Sequence, residues 1–130
     1  MKVLICDDDK CIVDEIKNNL NTFSDKHRIV FDIDLFYNGV ELLNSNISYD
    51  MAFIDIEMPL VNGLTLSAQL KKVNSNIIIF IITSHDAYLD DAMDLDVFRY
   101  LSKPIDNNRF FRALNTAINY YHSNTQIITL

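Results

Sequence analysis

Glycine and proline are scarce, with 2 of each in 130 residues. A linker or a disordered tail would carry more of both and less hydrophobic content, so neither describes this chain. Cysteine is as rare. Cys6 and Cys11 stand five apart with no second pair, which argues against a zinc site and leaves two reduced thiols packed in a cytosolic core as the expectation. Lys and Arg form no run, and the formal net charge is −7. Phosphate backbones are gripped by basic faces, so this segment is not expected to bind nucleic acid itself. Long apolar runs are missing too. The longest, Ile77 to Ile82, is far too short to span a bilayer. The start, with Val3-Leu4-Ile5-Cys6 almost at once, lacks the layout of a signal peptide. A cytoplasmic chain with no membrane role is expected.

What remains is a hydrophobic share of 49% against 22% charged residues, the balance of a compact globular protein. The length suits one domain, which buries roughly two-thirds of its unfolded surface and needs no disulfide or structural metal to fold. Short runs rich in Val, Ile and Phe recur at Val3–Cys6, Val30–Phe36, Met51–Ile54, Ile77–Ile82 and Val97–Leu101. The fourth is almost wholly β-branched, as a strand covered on both faces should be. Between them the spacing turns helical. Ile12, Ile16, Leu20 and Phe23 recur at three or four with Asp14, Glu15, Lys17 and Asn18 turned outward. Leu64, Leu66, Ala68 and Leu70 mark a helix whose Lys71-Lys72 end suits its negative dipole. Phe110, Phe111, Leu114, Ala117, Ile118 and Tyr121 form a long stripe that Asp106 can cap. Weaker helical signals cover Gly39–Leu43 and Ala87–Met93. Strands alternating with helices imply parallel βαβ units, and hence an α/β fold: a doubly wound, flavodoxin-like five-stranded parallel sheet in order 2-1-3-4-5.

In such a sheet, ligands bind at the carboxyl ends of the strands near the switch in strand order. Asp7, Asp8 and Asp9 follow the first run, Asp55 the third, Thr83-Ser84 the fourth, and Ser102-Lys103-Pro104 the fifth. Strands 1, 3, 4 and 5 would thus bring carboxylates, a hydroxyl and an ammonium to one place. Crowded carboxylates repel unless a cation intervenes, and Mg²⁺ suits a site of few carboxylates. An ionised Asp55 can then attack a phosphoryl donor to give an aspartyl phosphate, with Lys103 and Thr83 neutralising and hydrogen-bonding phosphoryl oxygens. Each element has a plainer counterpart. Asp7–Asp9 can be helix caps or a solvated turn, Asp55 a polar strand end, and Lys103-Pro104 a turn. The conjunction at the ends of four strands is what favours the chemical reading.

Those same segments resemble the response-regulator receiver family over residues 1–122. The likeness is carried by Val3-Leu4-Ile5-Cys6-Asp7-Asp8-Asp9, by Asp50-Met51-Ala52-Phe53-Ile54-Asp55-Ile56-Glu57-Met58-Pro59 with Gly63, by Ile82-Thr83-Ser84, and by Tyr100-Leu101-Ser102-Lys103-Pro104. The resemblance implies that Asp55 is the phosphoacceptor and Asp8 a direct Mg²⁺ ligand, with Asp7 acting through water and the Glu57 backbone carbonyl completing the protein's share. It makes Thr83 and Tyr100 the switch pair, Lys103 the phosphate-binding lysine and Lys103–Pro104 a cis peptide. Tyr100 has simple packing as its plainer role. Glu57 and His85, each two residues past a site residue, would tune how long the phosphoryl group survives. Met58 and Met93 are read as packing residues, and His27 and His122 as surface residues. Ser84 departs from the very small residue usual after the switch hydroxyl.

A finer resemblance is to receivers of LytTR-type regulators, through Phe98-Arg99-Tyr100-Leu101-Ser102-Lys103-Pro104-Ile105 and Asp55-Ile56-Glu57-Met58-Pro59. Residues 123–130 then read as a linker or the start of a missing output domain, with Gln126–Leu130 like a first strand. The implied partners are a sensor histidine kinase, and DNA only through that output domain. A homodimer through the C-terminal half is left open. A stand-alone receiver acting by protein contact is the alternative. A haloacid-dehalogenase-type phosphatase would need Asp where Glu57 stands, and a flavodoxin would need a phosphate loop where three aspartates stand.

Overall fold

The computed structural model describes residues 1–84 and 89–128. In chain order the elements are β1 (Lys2–Cys6), α1 (Lys10–His27), β2 (Asp32–Phe36), α2 (Val40–Leu43), β3 (Met51–Ile54), α3 (Gly63–Val73), β4 (Ile78–Thr83), α4 (Leu89–Asp94), β5 (Arg99–Ser102) and α5 (Asn107–Ile128). The strands form one sheet in the order β2-β1-β3-β4-β5, and every pair is parallel. This is the doubly wound arrangement expected above.

Strand alternation divides the core between the two faces of the sheet. Val3, Ile5, Met51, Phe53, Ile78, Phe80 and Ile82 face α1 and α5, where they meet Ile16, Leu20, Phe110 and Leu114. Leu4, Cys6, Ala52, Ile54, Ile79 and Ile81 face the other way, onto Leu42, Leu66, Leu70 and Ala92. The ring of Phe53 stacks on Phe80 at 4.7 Å and on Phe110 at 5.5 Å, tying β3, β4 and α5 together. Because β1, β3 and β4 are sealed on both faces, their polar residues gather at the ends, where the site lies.

The helices begin as their side chains dictate. The Asp9 carboxylate accepts from the Cys11 amide at 2.9 Å, and Asn62 accepts from the Leu64 amide at 2.7 Å. Asp106 accepts from the Arg109 amide at 3.1 Å and opens α5. Helix α1 closes on Arg28 in the left-handed region (φ 54°), and the chain re-enters the sheet only at Asp32. Val30, expected in strand 2, is therefore left outside it and exposed. Two other packing expectations fail on helical phase. Cys11 sits one residue before the buried side of α1 and is exposed, whereas Cys6 is buried. Met93 follows buried Ala92 and turns outward, 49% exposed. At the C-terminus α5 continues through Ile128, so residues 126–128 are helical rather than strand-like. Among the described residues no helix is long and apolar enough to cross a membrane.

Candidate functional site

Backbone hydrogen bonds carry the first three strand ends into register. The Asp7 amide donates to the Phe36 carbonyl at 3.1 Å and the Asp55 amide to the Cys6 carbonyl at 3.1 Å. The carboxylates of Asp7, Asp8 and Asp55 consequently converge, each offering an oxygen within 4.8 Å of the others. Asp7 and Asp55 are buried, and Asp8 is exposed. On the other flank the Lys103 amide donates to the Thr83 carbonyl at 3.0 Å, holding the end of β5 against β4. From there the Lys103 ammonium reaches back across the sheet, 2.9 Å from Asp7 Oδ2 and 3.2 Å from Asp55 Oδ2. The Lys103–Pro104 peptide bond is cis.

Each buried carboxylate is fixed differently. Asp55 Oδ1 accepts from the Ile56 amide at 2.8 Å, and Oδ2 accepts from Lys103. Asp7 Oδ1 accepts from the Asp9 amide at 2.9 Å. Its Oδ2 is buried with no aligned hydrogen bond, although the Lys103 charge is close. Burial pushes the Asp7 carboxyl above its usual range; Lys103 and the Asp9 amide oppose this, and the charge of Asp55 adds to it. For Lys103, burial disfavours the charged form, but Asp7 and then Asp55 outweigh it and its pKa is raised. Burial, reinforced by the three aspartates, raises the Cys6 thiol to about 12, so it stays protonated. Its sulfur lies 3.7 Å from that of Met58.

This donor set fits Mg²⁺. Three carboxylates supply hard oxygens, one of them a buried oxygen that no hydrogen bond satisfies, and a single ammonium neutralises only part of their charge. Asp9 does not join them, because its side chain caps α1.

Thr83 is fully buried at the end of β4, in register with Ser102. Tyr100 is half-buried beside the α2–α4 core and lines a cavity of about 240 Å³ with Ser102, Lys103, Pro104 and Arg109. Glu57 and Ser84 are exposed. His85 lies outside the described residues. His27 is exposed and stacks on Phe23 at 4.1 Å, and His122 is also exposed.

A further residue shapes the site without chemistry of its own. A Cβ on Gly63 would lie 2.0 Å from the Asp55 carbonyl oxygen. The Gly63 amide also donates to the Ile56 carbonyl at 2.8 Å. The first turn of α3 therefore presses directly on the backbone of Asp55, and only glycine leaves room.

Residues 3–115 match the response regulator receiver domain family, and the chain belongs to it. Receiver domains of this kind are regulatory parts of two-component systems. Among curated proteins the chain is similar to the sensory transduction protein LytT of Bacillus anthracis, 31% identical over 114 residues, which are 88% of this chain and 46% of that protein. It is also similar to LytR of Staphylococcus haemolyticus, 30% identical over 115 residues, covering 88% of this chain and 44% of that one. The chain thus spans about half the length of the curated relatives it matches. Among solved structures, the signal receiver domain of an HD domain-containing protein from Pseudomonas fluorescens superposes with a TM-score of 0.80 at 19% identity, over 96% of this chain and 91% of that one. TrrA of Thermotoga maritima, solved in complex with Mg²⁺-BeF, gives 0.74 at 24% identity over 89% and 97%. At these identities the structures speak for the fold alone.

Proposed function

We propose that this receiver accepts a phosphoryl group on Asp55, from a sensor histidine kinase, to switch an output domain of LytTR type that binds DNA. The observation that carries the reading is the convergence of Asp7, Asp8 and Asp55 within 4.8 Å, with the Lys103 ammonium on two of them. Mg²⁺ would be held by Asp8, Asp55 and the Glu57 backbone carbonyl, with Asp7 acting through water, and would neutralise charge on the incoming phosphoryl group.

An oxygen of Asp55 forms the new O–P bond. The N–P bond of the donor's phosphohistidine breaks, its electron pair returning to the imidazole nitrogen, which takes a proton. The Ile56 amide holds one Asp55 oxygen throughout and so orients the carboxylate. Lys103 bridges Asp7 and Asp55 beforehand and can turn to a phosphoryl oxygen once the charge of Asp55 is esterified. The Thr83 hydroxyl donates to another, and Tyr100 follows it inward, coupling the site to the β5 face. Glu57 and His85 set how fast water removes the phosphoryl group; decay rates of Glu57→Ala and His85→Ala equal to wild type would remove that role. A cytoplasmic location goes with this reading.

A second copy of the chain is the partner best suited to the C-terminal half. Arg99, Arg109 and Arg112 line a cavity of about 330 Å³, and among the described residues none has a carboxylate in ion-pair contact. Helix α4 opens with Asp90 and Asp91, the complementary charge. Sedimentation of the phosphorylated protein with and without Arg112→Glu tests this, and an unchanged association would remove it.

The reading as a whole is tested by intact mass after treatment with acetyl phosphate. One added phosphoryl group is expected with Mg²⁺ and none with a chelator. Equal labelling of Asp55→Asn would overturn it.

A further inference from the structure

The loop from β3 to α3 carries a residue that the site chemistry does not use. Leu60, five positions after Asp55, has φ 73° and is 86% exposed. A single exposed leucine is ordinary. A leucine held in the left-handed region is not, because its Cβ crowds the following carbonyl. Gly or Asn would relieve that crowding and remove the apolar surface as well. The conformation is imposed from both sides. The Val61 amide donates to the Pro59 carbonyl at 2.8 Å and the Gly63 amide to the Ile56 carbonyl at 2.8 Å. The loop is therefore fixed, and it holds an apolar side chain in solvent at the carboxyl end of the sheet, the end that carries the carboxylate cluster.

The surroundings indicate what would cover it. Gly39 packs against Val61, so the loop of half-exposed Tyr37 and the start of α2 at half-exposed Val40 adjoin this one. Lys10 lies over the Tyr37 ring at 5.6 Å, linking both to the loop of Asp7–Asp9. Asp8, Asp9 and Glu57 are exposed at the same end of the sheet. An apolar knob beside an acidic rim fits a partner with an apolar pocket edged by cationic groups. A second copy presenting this same end would bring acid against acid.

We infer that Leu60 is the apolar anchor that seats the phosphoryl-donor protein over Asp55. This rests on the phosphoacceptor reading. A small donor such as acetyl phosphate offers no apolar pocket to seat the Leu60 side chain, and this separates the two claims.

The experiment profiles transfer from the autophosphorylated cytoplasmic domains of the host organism's histidine kinases, using the kinase that labels wild type fastest. Leu60→Gly and Leu60→Asn both tolerate the left-handed backbone and should fold. Each is expected to slow transfer from that kinase about tenfold or more, while labelling by acetyl phosphate stays at the wild-type rate. Leu60→Met keeps an apolar side chain and should restore most of the kinase rate. Transfer unchanged in the Gly and Asn variants overturns the inference, as does an equal loss with acetyl phosphate, which marks a local structural role. Wild type labelled by acetyl phosphate but by no kinase overturns it while leaving the phosphoacceptor reading intact. Wild type labelled by neither overturns both. A change in self-association with kinase transfer unchanged reassigns the knob to a contact between copies.

Discussion

Replacing Gly63 by alanine tests how tightly the first turn of α3 is pressed onto the backbone of Asp55. The added methyl would sit 2.0 Å from the Asp55 carbonyl oxygen, 2.8 Å from its carbon and 2.9 Å from the Ile56 Cα. Restoring an ordinary contact requires the two segments to part by about 1.4 Å. The atoms in the way are backbone, anchored by the Asp55–Cys6 hydrogen bond and by β3 in the middle of the sheet. A displacement of that size also breaks the bond from the Gly63 amide to the Ile56 carbonyl. Overpacking costs about 1–3 kcal/mol and the lost hydrogen bond about 1, offset by about 0.5 from the reduced freedom of the unfolded chain. The net loss is about 1.5–3.5 kcal/mol, which for a domain of this size lowers the thermal midpoint by about 5–13 °C. Gly39→Ala is the control, since its Cβ would meet side chains and not backbone, Val61 at 3.1 Å and Leu66 at 3.4 Å, and should cost under about 1 kcal/mol. Thermal and urea unfolding monitored by circular dichroism reads both. Acetyl phosphate labelling of Gly63→Ala, measured cold where the variant is folded, should also slow because the Asp55 backbone has moved. A Gly63→Ala midpoint within about 2 °C of wild type, or equal losses at the two glycines, would refute the reasoning.

Mg²⁺ should raise the thermal midpoint of wild type by binding only the folded state, and Asp8→Ala should lose that gain while being at least as stable as wild type without metal; a marked apo loss would make Asp8 structural. Asp7 carries a raised carboxyl pKa, so the metal-free folded state binds more protons than the unfolded chain and stability falls as pH rises through that window. Asp7→Asn should flatten this decline and melt higher than wild type at neutral pH without metal; an unchanged pH profile would contradict the burial argument. Lys103→Ala should keep Mg²⁺ binding but slow labelling several-fold, and labelling at the wild-type rate would remove the lysine from the site.

Much of this molecule was legible from the order of its residues. The β-branched run at Ile77–Ile82 could be buried on both faces only as an interior strand, and β4 is interior. The aspartates stood out because a carboxylate directly after an apolar strand must end near its neighbours at the same edge. Their division of labour was hidden, because a ligand and a cap use the same side chain at the same place. Asp9 turns out to cap α1 while Asp7 points inward. Helical phase decides Cys11 and Met93, and a shift of one residue carries a side chain from core to solvent. Ile127 and Ile128 misled for a related reason: short apolar runs do not distinguish a strand from the end of a long helix. The left-handed backbone at Leu60 was out of reach altogether, since Pro59, Val61 and Gly63 impose it through hydrogen bonds that no local pattern announces.

The measurement that tests the proposed phosphoacceptor most directly is site-resolved. After acetyl phosphate and Mg²⁺, borohydride reduction converts an aspartyl phosphate to homoserine, and peptide mass spectrometry locates it. Conversion at Asp55 alone is predicted, abolished by a chelator. Conversion at Asp7 or Asp8, or none at Asp55 in protein shown to be phosphorylated, would contradict the account.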